Sequence, residues 1–234
     1  MTTPESDAVR ATFAGIASRY DVTNHLLSGG LDFLWRRRLI LAAKALVPAK
    51  VLDLATGSGD VALKLRNELP SEVDVTGLDF CLPMLREAER KRDIAGHSQE
   101  SLQFLEGDCL DLPFDDESFD LLTIAFGLRN LVDRPRGLAE MLRVLRPGGS
   151  LLVLEFSQPY FWLKPLYYLY LRGVLPVLAC LATGDRKAYE YLVASIAGFP
   201  ARSCLADELI QAGFTDAVVT SMTGAIVVMH AAEK

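Results

Sequence analysis

The stretch Asp53-Leu54-Ala55-Thr56-Gly57-Ser58-Gly59-Asp60 follows a short apolar run and leads into a helical pattern. Glycines at 57 and 59 let the backbone turn tightly between a strand and a helix and approach a ligand closely. A Gly-x-Gly turn alone is a weak signal, equally at home in a plain strand-to-helix connection. Asp79 strengthens it, because it ends the next apolar run in Thr76-Gly77-Leu78-Asp79-Phe80. A carboxylate there can accept both hydroxyls of a ribose in a charge-assisted, bidentate arrangement. The two motifs predict a cofactor that carries a nucleoside. They also satisfy a nicotinamide fingerprint, since Gly57-x-Gly59-x-x-Ala62 is followed by an acid twenty positions after Gly59. Hydride transfer and methyl transfer both remain open at this point.

Three features separate them. Gly107-Asp108-Cys109, at the end of a third strand-like run, offers an acid for an adenine amino group beside a small apolar neighbour, as at the adenine end of a methyltransferase site. Arg146-Pro147-Gly148-Gly149 stands before a fifth strand, and the chain closes on two strand-like runs, Phe214–Ser221 and Ala225–Ala231. Only Met222–Gly224 lies between those runs, too short for a crossover, so they must pair as an antiparallel hairpin. Dehydrogenases rarely show this trio.

The elements that hold these residues follow from periodicity. Val9, Phe13, Ile16 and Tyr20 recur at helical spacing over Ser6–Tyr20; Tyr20 belongs either to a core face or to a lid. A second helix is expected over Leu31–Leu46, with Leu34, Trp35, Leu39 and Ala42 on one side and Arg36–Arg38 on the surface. From Val51 short β-type runs alternate with helical ones: Val51–Leu54 and Val61–Leu69, Val73–Leu78 and Met84–Arg92, Phe104–Leu105, Phe119–Phe126 and Leu138–Leu145, then Leu151–Phe156. That alternation predicts a parallel, doubly wound sheet with right-handed crossovers. Between Pro159 and Ala182 aromatic residues crowd among three prolines. Lys164, Arg172 and Pro176 break any apolar run of the ~20 residues a membrane span requires, so a helical cap is expected, serving either as cover for the core or also as the lining of an apolar pocket.

At 234 residues the chain can form one α/β domain without disulfides or a structural metal. A net charge of −6 disfavours nucleic-acid partners. The four cysteines, Cys81, Cys109, Cys180 and Cys204, form no C-x-x-C pair, which suggests neither a zinc site nor a disulfide framework. The first residues lack the apolar core of a signal peptide, so a cytoplasmic location is expected.

Taken together, the chain resembles the ubiquinone/menaquinone biosynthesis C-methyltransferase family over nearly its whole length. The resemblance is carried by Tyr20-Asp21 with Asn24 and Ser28, Trp35-Arg36-Arg37, the Asp53–Asp60 loop, Leu78-Asp79-Phe80 with Met84-Leu85, and Gly107-Asp108 with Leu112-Pro113-Phe114. Phe126-Gly127-Leu128-Arg129-Asn130 is the most diagnostic motif, followed by Arg143-Val144-Leu145, Pro147-Gly148-Gly149, Leu154-Glu155-Phe156-Ser157, Phe199-Pro200, Ala212-Gly213-Phe214 and His230. Cys81 and Cys109 depart from the family's serine and alanine but are small enough to leave the site intact.

The resemblance implies a Rossmann-like class I methyltransferase with a seven-stranded sheet, an N-terminal helical lid over 1–47, a cofactor core over 48–157, a helical substrate cap over 158–202, and a terminal helix and hairpin over 203–234. It implies S-adenosylmethionine bound by Asp53, Thr56, Gly57, Ser58, Gly59, Asp79, Phe80, Met84, Asp108, Cys109 and Ala125, without a metal. The acceptor is expected to be a prenylated quinol, a naphthoquinol or a methoxylated benzoquinol, already electron-rich beside its hydroxyl. Arg129 and Asn130 follow the fourth strand at its carboxyl end, where ligands collect in open α/β sheets. Both are expected at the methyl, Arg129 stabilising the developing phenolate directly or through a water and Asn130 orienting a quinol oxygen; the plainer alternative has Arg129 merely bonding a loop. A guanidinium stays protonated and is a poor base. Tyr20 is expected in a lid touching quinol or cofactor, and His25 is either a base or structural. Peripheral membrane contact follows from the acceptor's insolubility, and a homodimer from the resemblance. Two further readings remain: a methyltransferase for another small phenol, and a cofactor-binding scaffold within a quinone-synthesis assembly.

Overall fold

Val51 and Leu52, Leu121 and Leu122, and Leu151 and Leu152 are neighbouring residues that are all buried. Successive side chains of a strand face opposite sides, so both faces of this sheet must be covered, as in a parallel sheet flanked by helices. The computed structural model, which describes residues 28–174 and 186–234, has that form. The helix expected over Ser6–Tyr20, with Tyr20 itself, Asn24 and His25, lies outside the described residues, as does part of the aromatic segment.

Strands β1 (Lys50–Leu54), β2 (Asp74–Asp79), β3 (Leu102–Glu106), β4 (Phe119–Ala125) and β5 (Leu145–Phe156) run parallel. The last two, β6 (Asp216–Met222) and β7 (Val227–Glu233), form the expected hairpin, and β7 lies antiparallel against β5. The order across the sheet is β3-β2-β1-β4-β5-β7-β6. Strand order therefore reverses between β1 and β4, and a crevice opens at the carboxyl ends of those strands.

In chain order the described helices are α1 (Leu31–Ala45), α2 (Asp60–Glu68), α3 (Leu82–Ile94), α4 (Arg134–Val144), α5 (Lys164–Leu169), α6 (Arg186–Gly198) and α7 (Arg202–Gln211). Leu39 of α1, Leu65 of α2 and Ala88 of α3 pack with Val51, Val75, Leu121 and Leu152 on one face of the sheet. Leu138 and Met141 of α4 and Leu205 and Leu209 of α7 pack with Leu52, Leu122, Leu151 and Val153 on the other. Each buried leucine contributes about 1.5–3 kcal/mol, so the two clusters clamp the sheet and fix where its strand ends lie. Asp133 caps α4 by accepting the Arg136 N–H at 3.1 Å, and Pro135 occupies its first turn, where a missing N–H costs nothing.

Three local expectations are corrected. In α1 the buried positions are Asp32, Trp35, Arg36, Leu39, Ile40 and Ala43, whereas Leu34 is 56% exposed. The face is rotated because Arg36 turns inward to Asp60 at 2.7 Å, with Asp32 one turn earlier; only Arg37 and Arg38 remain at the surface. Strand β5 begins at Leu145, six residues early, and absorbs Pro147-Gly148-Gly149 as a register shift opposite Phe119 and Leu121. The hairpin turn falls at Thr223–Ala225, not Met222–Gly224. Thr223, Gly224 and Ala225 all adopt left-handed backbone, and the Trp35 Nε1–H donates to Thr223 Oγ1 at 2.8 Å, tying the turn to α1.

Candidate functional site

The loop from β1 to α2 places three residues of five, Ala55, Gly57 and Gly59, in left-handed backbone. For Ala55 this costs about 1 kcal/mol or more; Asp79 and Asp53 hold the loop in place. Asp79 accepts the Gly57 N–H on one oxygen and the Cys81 N–H on the other, both at 2.8 Å. These two bonds fix the Asp79 carboxylate at the wall of a cavity. Asp53 accepts the Thr56 and Thr123 hydroxyls, both at 2.6 Å, and stands in register between Gly77 of β2 and Thr123 of β4. Burial pushes its carboxyl up to about 6, against the pull of those two hydrogen bonds and of Arg36.

The loop, the end of β2 and the end of β4 enclose a cavity of about 370 Å³. Asp53, Thr56, Gly57, Ser58, Asp79, Phe80, Met84, Asp108, Cys109, Ala125 and Asn130 all border it. Its size lies in the range of small-ligand sites, and a lining that combines Asp53, Asp79 and Asp108 with the Gly57 backbone suits a nucleoside-bearing ligand. A Cβ on Gly57 would meet Met84 Cε at 3.3 Å. Asp108 accepts the Leu110 N–H at 2.9 Å, which orients its carboxylate. Burial, then the Asp79 charge, pushes the Cys109 thiol up to about 12, so it is a small neutral wall.

Gly59 is the exception among the expected cofactor residues. It is absent from the lining; a Cβ there would come within 2.8 Å of Ala88 Cβ and 2.9 Å of Phe104 Cζ. Its role is close packing of α2 against α3 and β3, at φ +80 where the helix starts without a side-chain cap.

A second cavity, about 630 Å³, lies beside the first. Its walls are largely apolar: Trp35, Phe126, Phe156, Leu163, Leu166, Tyr167, Leu171, Ile196 and Ile226, with Arg36 and Arg129. Arg36 and Phe126 border both cavities. Phe126 follows β4 in left-handed backbone at φ +59, and packs 4.9 Å from Phe156 and 6.1 Å from Trp35 between ring centroids. Arg36 pairs with Asp60, which also accepts Lys91 at 2.8 Å. Burial would raise the Asp60 carboxyl, but Arg36 and Lys91 outweigh it and hold it below the ordinary range.

Arg129 and Asn130 do not stand together as expected. They sit in the single 3-10 turn Leu128–Asn130, where successive side chains diverge by about 120°. Asn130 borders the first cavity and Arg129 the second. Arg129 is buried, with Nη1 2.8 Å from Glu155 and the guanidinium 5.3 Å from the Phe156 ring centroid. His230 is buried in β7 against the Arg202 carbonyl at 2.8 Å, its pKa lowered by burial, and it borders neither cavity. Sequence reasoning gave Glu155 no role of its own and placed Arg36 on the helix surface. Both carried a signal: an acid inside the apolar run Leu151–Phe156, and an arginine four residues after Asp32.

The same fold occurs in solved structures at low identity. A SAM-dependent methyltransferase from Thermotoga maritima aligns over 96% of this chain and 99% of its own, with TM-score 0.65 and 18% identity. The [4+2]-cyclase SpnF aligns over 100% and 98%, with TM-score 0.63 and 19% identity, so the fold does not by itself decide the reaction. Sequence relatives are nearer. The demethylmenaquinone methyltransferase of Thermus thermophilus is 47% identical over 87% of this chain and 91% of its own, and that of Porphyromonas gingivalis 42% identical over 94% and 90%. The ubiquinone/menaquinone biosynthesis C-methyltransferase UbiE of Geotalea daltonii is 40% identical over 99% and 98%. With a family model matching residues 1–234 in full, and with the cofactor-type loop and its acids in place, the chain belongs to the ubiE/COQ5 methyltransferase family.

Proposed function

We propose that this enzyme methylates a ring carbon of a prenylated quinol, with S-adenosylmethionine in the first cavity and the acceptor in the second. The observation that carries the reading is the meeting of a cavity bordered by several acids and a larger, more apolar one at Arg36 and Phe126. A cationic cofactor and a greasy acceptor each have a matching compartment, and their reacting ends converge where the compartments join. The names of the relatives support the same substrate, and those at 42% and 47% identity put demethylmenaquinol first.

When bound, the cofactor supplies an electrophilic methyl group on a sulfonium. Asp79 would take its ribose hydroxyls, Asp108 and Cys109 would flank its adenine, and the Gly57 turn would admit the backbone close to its amino-acid end. Phe126, Phe156 and Trp35 stack about the quinol ring and exclude water, which strengthens the electrostatics of the site. Arg129 faces the ring oxygen and stabilises the phenolate as its proton passes to water; Asn130 orients that oxygen from the cofactor side. Leu163, Leu166, Tyr167 and Ile196, from the segment after β5, cover the acceptor's tail.

We place the mouth of the second cavity at a lipid surface. Phe161 and Trp162 are 87% and 64% exposed, and Leu166 and Leu169, three apart on α5, are 63% and 67% exposed. Leu166 also borders the cavity, so an apolar tail has a continuous path outward. No helix among the described residues is long and apolar enough to cross a membrane.

The test is incubation of the purified chain with methyl-labelled S-adenosylmethionine and reduced demethylmenaquinol bearing a short prenyl tail. Label on ring carbon, with weaker turnover when the tail is removed, is the expected result. Saturable cofactor binding without labelling of this quinol or of the methoxylated benzoquinol would overturn the assignment.

A further inference from the structure

Glu155 is a carboxylate at a buried position of the central sheet. It is 1% exposed, in an otherwise apolar strand segment. It accepts Arg129 Nη1 and its own neighbour's Phe156 N–H at 2.8 Å, and the Arg129 N–H at 3.3 Å. Arg129 Nη1 also donates to the Phe126 carbonyl, while its Nε–H is buried without an acceptor. Withdrawing such a pair from water costs about as much as the pair returns, and apolar residues of similar volume would serve stability as well. An orphaned buried donor adds to that cost. The pair is therefore better explained by the cavity that Arg129 borders than by the stability of the sheet.

We infer that Glu155 is a positioning residue for the acceptor: it fixes the guanidinium through Nη1 and the Arg129 backbone, so that the donors it leaves unengaged, those of Nη2 first, are held for the acceptor's ring oxygen. This rests on the quinol reading above. The step served is ionisation of the ring hydroxyl, in which the O–H bond breaks, the proton goes to water and the electron pair stays on oxygen. As charge gathers there, the guanidinium N–H···O bond becomes charge-assisted on both sides and strengthens toward the transition state. The other charged residues bordering this cavity, Arg36 and Asp32, face one another, and Arg36 is further engaged by Asp60.

The test uses the full chain and a prenylated 4-nitrophenol, whose phenolate absorbs in the visible, titrated while bound. Wild type is expected to lower the probe's pKa so that the phenolate population rises about tenfold at a given pH. Charge alone predicts that Glu155→Gln lowers it further, because Arg129 loses its neutralising neighbour. Positioning predicts the opposite: the shift is lost, kcat on the quinol falls about 100-fold, and cofactor affinity is unchanged. Arg129→Lys, which keeps the charge without the planar fork that Glu155 holds, is expected to behave like Glu155→Gln and carries the test should that variant not fold. No saturable probe binding to wild type, or a shift kept or enlarged in both variants with kcat retained, overturns the inference. A shift present in wild type and lost in the variants, with no quinol methylated, leaves the positioning role standing and removes the quinol assignment.

Discussion

Replacing Asp53 by asparagine is expected to stabilise the fold and weaken the cofactor site at once. The carboxyl is buried and its pKa is raised from 3.8 to about 6, chiefly by loss of hydration. A folded-state pKa above the unfolded one means the folded protein binds the extra proton between those limits. Stability from this group is therefore greatest at low pH and is lost as pH rises from 3.8 through about 6. At pH 7.5 the ionised carboxylate costs about 3 kcal/mol, and at pH 5 about half of that. Asparagine is neutral throughout and keeps an oxygen for one threonine hydroxyl, while the other hydroxyl rotates to accept from its amide. Denaturant unfolding of the apo chain should show Asp53→Asn more stable by about 2–3 kcal/mol at pH 7.5 and by about 1–2 kcal/mol at pH 5. Calorimetric titration should show wild-type affinity for the cationic cofactor falling as pH drops through 6, and a weaker, flatter profile in the variant. A variant less stable at pH 7.5, or an advantage that does not change with pH, would refute the argument that burial dominates at Asp53.

Three other outcomes can be checked directly. Gly59→Ala should cost about 2–4 kcal/mol, the strain of a left-handed alanine plus overpacking against Ala88 and Phe104, whereas Gly148→Ala, at φ +77 with nothing within 4 Å, should cost only about 1 kcal/mol; thermal unfolding of the pair isolates the packing part. Replacing Phe161 and Trp162 together by serine should reduce co-sedimentation with lipid vesicles by about tenfold or more while leaving turnover of a soluble short-tailed acceptor unchanged. Alkylation by iodoacetamide at pH 8, followed by peptide mass analysis, should modify exposed Cys204 and spare Cys81 and Cys109, both buried; rapid labelling of Cys109 would contradict its thiol pKa of about 12.

The alternation of strands and helices was legible because it depends on local periodicity, and the closing hairpin because three residues cannot cross a sheet. The Asp53–Asp60 loop and Asp79 were legible for a similar reason: turn chemistry and strand ends lie close together in the chain. Of the residues expected around the cofactor, all but Gly59 border one cavity, since the parallel register brings the ends of β1, β2 and β4 to one edge. Tertiary structure alone decided the rest. Helix phase turned Arg36 inward to Asp60, twenty-four positions away, instead of leaving it beside Arg37 and Arg38. The tight turn after β4 sent Arg129 and Asn130 into different cavities. Glu155 met Arg129 across twenty-six residues because β4 and β5 are neighbours in the sheet. Periodicity says that a residue is buried or exposed; which distant group it then meets depends on register and helix rotation, and these are settled only when the whole sheet is packed.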